Sequence, residues 1–93
     1  MNKLNIKAIR KKLDKLDDNL LVLIKKRTTL VNEVINIKKF KNQIVDKKRI
    51  QLILKRIKKK SITMKIDKDI TNKIWKTMIR AFISYEFKNF DKK

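Results

Sequence analysis

The chain has 93 residues, with 28 Lys or Arg against 9 Asp or Glu, a formal charge of +19, and no His, Cys, Gly or Pro. The length suits one domain over residues 1–93, and a monomer of this size buries only a modest core, so self-association is a natural remedy. Without Cys there is no disulfide or thiol nucleophile, and without His the commonest general base and transition-metal ligand is missing, so no zinc site is expected.

The first predicted element runs over residues 3–39. One heptad row is Ile6, Leu13, Leu20, Arg27 and Val34; the other is Ile9, Leu16, Leu23, Leu30 and Ile37. All are apolar except Arg27, and the pattern holds without a break, which predicts one very long helix with a seam for packing. Leu21, Ile24, Val31 and Ile35 widen the apolar surface, so the helix is expected to meet more than one neighbour. At about 1.5 Å per residue it spans roughly 50 Å, more than the rest of the chain can cover, and an intertwined dimer would cover it.

Residues 40–45 read as a connecting loop. Asp46 is a plausible N-cap for a second helix reaching about residue 60, with Ile50, Ile53, Leu54 and Ile57 inward and a basic C-terminal end. Residues 61–66 read as a second connector. Asp67 caps a third helix to about residue 89, whose stripe is Trp75, Ile79, Phe82, Glu86 and Phe90, flanked by Ile74, Met78 and Ile83. The lack of Gly and Pro argues against a hairpin-rich β fold, and any turn needing positive φ must use Asn, Asp or Lys. The expected class is all-α, with three helices. No run approaches the ~20 apolar residues of a membrane span. The stretch from Met1 to Leu13 is too interrupted by Lys and Arg for a signal peptide, so a cytoplasmic location is expected.

Function is sought where the pattern breaks. Arg27 sits in an apolar seam, where an arginine must snorkel, set register, pair or meet a ligand anion. Lys38 lies eleven residues on, close to three whole turns, so the two cations share a helix face roughly 16 Å apart by rise. Arg10 lies seventeen residues before Arg27, about 26 Å away along the axis and roughly 100° around it. On one helix Arg10 and Arg27 cannot reach the same small ligand; Arg10 is then a solvated charge or serves a site built with another chain. Arg49 and Asp46 open the second helix as a surface charge and its N-cap. Glu86 extends an apolar stripe, facing a basic pocket or lying exposed near the terminus.

The stretch Ile9-Arg10-Lys11-Lys12-Leu13-Asp14-Lys15-Leu16-Asp17, followed by Leu20-Leu21, Leu23-Ile24, Arg27, Leu30-Val31, Val34 and Lys38, resembles the all-helical (AroQ-class) chorismate mutases. Asp46 with Arg49 is similar to the opening of that family's second helix. Ile74-Trp75, Met78-Ile79 and Glu86 are similar to the third. The resemblance spans nearly the whole chain. It implies an intertwined homodimer with two sites that rearrange chorismate to prephenate without metal or cofactor, in phenylalanine and tyrosine biosynthesis. It also implies roles: Arg27 and the other chain's Arg10 hold the carboxylates, Lys38 and Glu86 address the ether oxygen, and Arg49 and Asp46 face the ring and its hydroxyl. Three positions depart from the pattern. Ile50 stands where Glu is common, Phe82 where Ser is frequent, and Glu86 where Gln is usual; only a protonated Glu86 can donate to an ether oxygen.

Three other readings stand beside this one. Isochorismate pyruvate lyase shares the resemblance, and an aromatic residue at Phe82 before Ile83 is similar to that branch. A basic helical nucleic-acid-binding protein would explain the charge, though the basic runs lack aromatic interleaving and no recognition motif is present. Lys, Ile and Asn are over-used everywhere, as AT-rich coding produces, and that also yields a charge of this size. A coiled-coil adaptor would use the seam alone.

Overall fold

In the computed structural model, residues 3–92 are described. They form three α-helices and one short turn of tighter helix: α1 (Lys3–Ile37), a single 3-10 turn (Lys41–Gln43), α2 (Lys47–Thr63) and α3 (Lys68–Phe90). The expected all-α class and helix order hold. The single-domain reading over 1–93 takes in Met1, Asn2 and Lys93, which lie outside the described residues. The chain divides into two compact units, one up to Leu30 and one from Val31 onward.

The first unit is the N-terminal part of α1. Every residue from Asn5 to Lys26 is exposed, including seam residues such as Leu23 at 57% and Leu20 at 54%. Within one chain, therefore, the seam of this unit is an uncovered apolar stripe. A lone helix in water is marginal even with good propensity, so such a stripe needs tertiary or quaternary packing to persist.

The second unit holds the core. Its buried apolar residues are Ile35 from the end of α1, Ile44 from the connector, Ile57 from α2 and Ile79 from α3. The inner face expected for α2 is observed: Ile57 is buried, and Ile50, Ile53 and Leu54 are half-buried. On α3, Ile79 and Glu86 are buried, and Trp75, Met78, Phe82, Ile83 and Phe90 are half-buried. Ile74 departs from the expectation, since it is 51% exposed.

Two boundaries also differ from the sequence reading. The first helix stops at Ile37 because the Gln43 side chain captures the next free amides: Lys39 N–H and Phe40 N–H donate to its Oε1 at 2.8 and 3.0 Å. The second helix continues to Thr63, so Ser61 is helical rather than part of a connector. Ser61 is buried; its hydroxyl bonds the Ile57 carbonyl oxygen and Thr71 Oγ1, each at 2.7 Å. Those bonds anchor the last turn of α2 to the first turn of α3. The helix then ends in a Schellman arrangement: Ile66 N–H donates to the Ser61 carbonyl at 2.8 Å and Lys65 N–H to that of Ile62 at 3.1 Å. Lys65 takes φ of 58°, so a lysine fills the left-handed position that glycine usually holds. Asp67 then caps α3 by accepting from Asp69 N–H at 2.8 Å.

Candidate active site

Lys38 is the first residue past α1, and its N–H still bonds the Val34 carbonyl at 3.0 Å, so its side chain leaves the helix end in a fixed direction. Its ammonium donates to the Ile44 carbonyl oxygen at 3.4 Å and to Glu86 Oε1 at 3.1 Å. The side chains of Lys38 and Glu86 are only 20% and 10% exposed. Ile44 is itself 3% exposed, so the connector brings an apolar wall as well as a carbonyl to this cation. Glu86 thus reaches the interior from an apolar helix stripe because an ammonium meets it there; an unpaired carboxylate at that depth would be strongly disfavoured.

Phe82 lies one turn before Glu86 on α3. It is half-buried and meets Tyr85 edge to face, with ring centroids 6.4 Å apart. The Tyr85 hydroxyl donates to Asn32 Oδ1 at 2.7 Å, which ties α3 to the last turns of α1. Asp46 is the N-cap of α2 and accepts from Arg49 N–H at 3.0 Å, as its position predicts. This bond pairs Asp46 with the Arg49 backbone, and both side chains are exposed. Ile50 is half-buried and, with Leu54, Ile79 and Ile83, lines a hollow of about 260 Å³ between α2 and α3, rimmed by Lys76 and Arg80. A mainly apolar wall stands where a glutamate would have given a polar one.

Arg27 and Arg10 belong to the N-terminal unit. Arg27 is half-buried, in contrast to the leucines of its seam row, whereas Arg10 is exposed. The fold thus brings two of the candidate residues into direct side-chain contact, Lys38 with Glu86. Sequence reasoning missed the part played by Ile44, whose signal was the adjacent apolar pair Ile44-Val45 inside a segment read as a loop. It also missed the Tyr85–Asn32 bond, which no periodicity announces. Among the described residues, no group of His, Cys, Asp and Glu could hold a metal ion, and no helix is long and apolar enough to cross a membrane.

Three helices, with a shielded ammonium–carboxylate pair where the end of α1 meets α3, define an all-helical protein with a polar contact set into an apolar helix stripe. The chain belongs to the chorismate mutase type II family, whose model matches residues 9–87. That span contains Arg10, Arg27, Lys38, Asp46, Arg49, Phe82 and Glu86. No curated protein and no solved structure matches the chain.

Proposed function

We propose that the protein is a chorismate mutase, an isomerase that rearranges chorismate to prephenate for phenylalanine and tyrosine biosynthesis in the cytoplasm. The Lys38–Glu86 pair carries this reading. The two residues that the family resemblance directs at the ether oxygen stand 3.1 Å apart and largely out of water.

The reaction breaks one C–O bond and forms one C–C bond within a single molecule, with electrons moving around a ring. It asks for no nucleophile and no proton acceptor, which suits a chain without His or Cys. The protein's task is to hold a flexible dianion in its compact reactive shape and to stabilise charge growing on the ether oxygen. Lys38 donates to that oxygen through its ammonium, and Glu86 does so as the protonated acid. Arg27 anchors a carboxylate, while Arg49 and Asp46 face the ring and its hydroxyl. Phe82 closes the pocket with an apolar ring where a hydroxyl would have offered a hydrogen bond.

The working form we propose is an intertwined homodimer in which Arg10 of a second copy holds the other carboxylate. The exposed stripe Leu13, Leu16, Leu20 and Leu23 supports this reading. Covering each half-exposed leucine contributes on the order of 1 kcal/mol, which favours association.

The deciding experiment supplies chorismate and isochorismate separately to purified protein. Prephenate from chorismate, with a loss of roughly 10²–10³-fold in kcat/KM for Arg27→Ala, is the expected result. Salicylate and pyruvate from isochorismate alone would instead make the protein an isochorismate pyruvate lyase, the reading to which the aromatic ring of Phe82 lends support.

A further inference from the structure

The charge of this chain is not evenly placed. Helices α1 and α3 both carry acids among their lysines, whereas α2 (Lys47–Thr63) contains none. Ile50, Ile53, Leu54, Ile57 and Ser61 make its inner face, so its cations are gathered on the remaining surface, beside the exposed Leu52 and Ile62. At 100° per residue, Lys48, Lys55 and Lys59 lie within about 20° of the direction opposite Ile57, Arg56 flanks them, and all four are exposed. Among the described residues none of the four has an ion-pair partner in the chain. Like charges three and four residues apart on one helix repel, so this face lowers the stability of the helix that carries it.

From this asymmetry we infer that the outward face of α2 binds the phosphate backbone of a nucleic-acid duplex, a surface separate from the Lys38–Glu86 centre. The eleven rises from Lys48 to Lys59 cover about 16 Å, or roughly five base-pair steps of a duplex. Long flexible side chains on such a row reach several phosphates without reading bases, so the binding is independent of sequence. An anionic membrane fits less well. An interfacial helix inserts an apolar face, and the apolar face of α2 is occupied by α3, which leaves Leu52 and Ile62 exposed, too few for such a face.

Four phosphate contacts predict a slope of roughly −3.6 for log affinity against log salt, or about a hundredfold loss between ~50 and ~200 mM. The test is fluorescence anisotropy of a labelled 20-base-pair DNA duplex titrated with the full chain across that salt range. The combined variant K48Q/K55Q/R56Q/K59Q should lose about three or more from the slope. A control, K73Q/K76Q/K88Q/K92Q, removes the same charge elsewhere and should keep most of it. Equal losses in both variants would mean that net charge, not this face, does the binding, and would overturn the inference. So would a parent slope shallower than about −2, a measurement that needs no variant to fold. Binding to phosphatidylserine vesicles without binding to the duplex would overturn it in favour of a membrane surface.

Discussion

Lys38 and Glu86 are 48 positions apart in the chain and 3.1 Å apart in the fold. The end of α1 supplies the ammonium, the stripe of α3 supplies the carboxylate, and Ile44 in the connector adds a carbonyl acceptor at 3.4 Å. Each side chain is the other's reason for lying so far from water. In the pair Glu86 accepts a hydrogen bond, whereas the proposed reaction asks it to donate one, which only the protonated acid can do.

The carboxylate has no hydrogen to offer the ether oxygen, so a side chain at position 86 that always carries a donor is expected to raise activity. In Glu86→Gln the amide donates to that oxygen, so the variant should exceed the parent in kcat/KM. The amide oxygen still accepts from Lys38 but leaves its shielded ammonium without a counter-charge, so the cost in stability should be about 1–3 kcal/mol. The measurement is kcat/KM of both proteins under one set of conditions, and a Glu86→Gln variant no faster than the parent would remove the donor role from this position.

If Arg10 serves the site of a second copy, two inactive proteins should repair one another. Arg10→Ala and Arg27→Ala are each expected to be nearly inactive alone. A mixed dimer has one site that lacks both arginines and one that retains both. Random exchange gives half mixed dimers, so about one quarter of parental sites should return once the subunits re-equilibrate. Activity after mixing, unfolding and refolding together is the readout. No recovery, with mixed dimers verified by mass, would show that Arg10 does not act across chains.

The long helix, the two aspartate caps and the inner faces of α2 and α3 were legible because each rests on a local rule: heptad spacing, cap chemistry, or a 3.6-residue period. Glu86 was legible as an anomaly, since an acid in an apolar stripe demands a partner. That the partner is Lys38 depends on how α3 packs against the end of α1, which no local pattern encodes. Ser61 was misread as connector because serine marks turns in sequence, yet here its hydroxyl is buried across a helix pair. Lys65 was foreseen only as a type: a chain without glycine must place some other residue where φ is positive.

Ser61 and Thr71 share hydrogens in a definite way. Ser61 has one hydrogen and a carbonyl acceptor at 2.7 Å in Ile57, so Thr71 is the donor between the two hydroxyls. Ser61→Ala then leaves Thr71 only the Lys68 carbonyl, at 3.3 Å. The expected cost is about 1–2 kcal/mol. Thr71→Val should cost less, because Ser61 keeps its bond to Ile57. The double variant should be more stable than the sum of the two losses predicts, since no hydroxyl is then stranded. Urea unfolding of the four proteins checks this, and strict additivity would mean the hydroxyl pair contributes nothing specific.

Lys65 pays the steric cost of a left-handed residue at φ of 58° so that α2 can close its Schellman turn and α3 can begin. For a residue with a Cβ that conformation costs roughly 1–2 kcal/mol, and glycine avoids it while giving back about half in chain entropy. Lys65→Gly is therefore expected to stabilise the protein by about 0.5–1 kcal/mol, a rise in Tm of several degrees for a domain of this size. Lys65→Val should destabilise it, because branching at Cβ makes positive φ harder still. The Lys65 side chain is exposed, so neither change disturbs the core. Thermal melts of the three proteins at one concentration decide the matter, and a lower Tm for Lys65→Gly would show that the lysine side chain itself supports the turn.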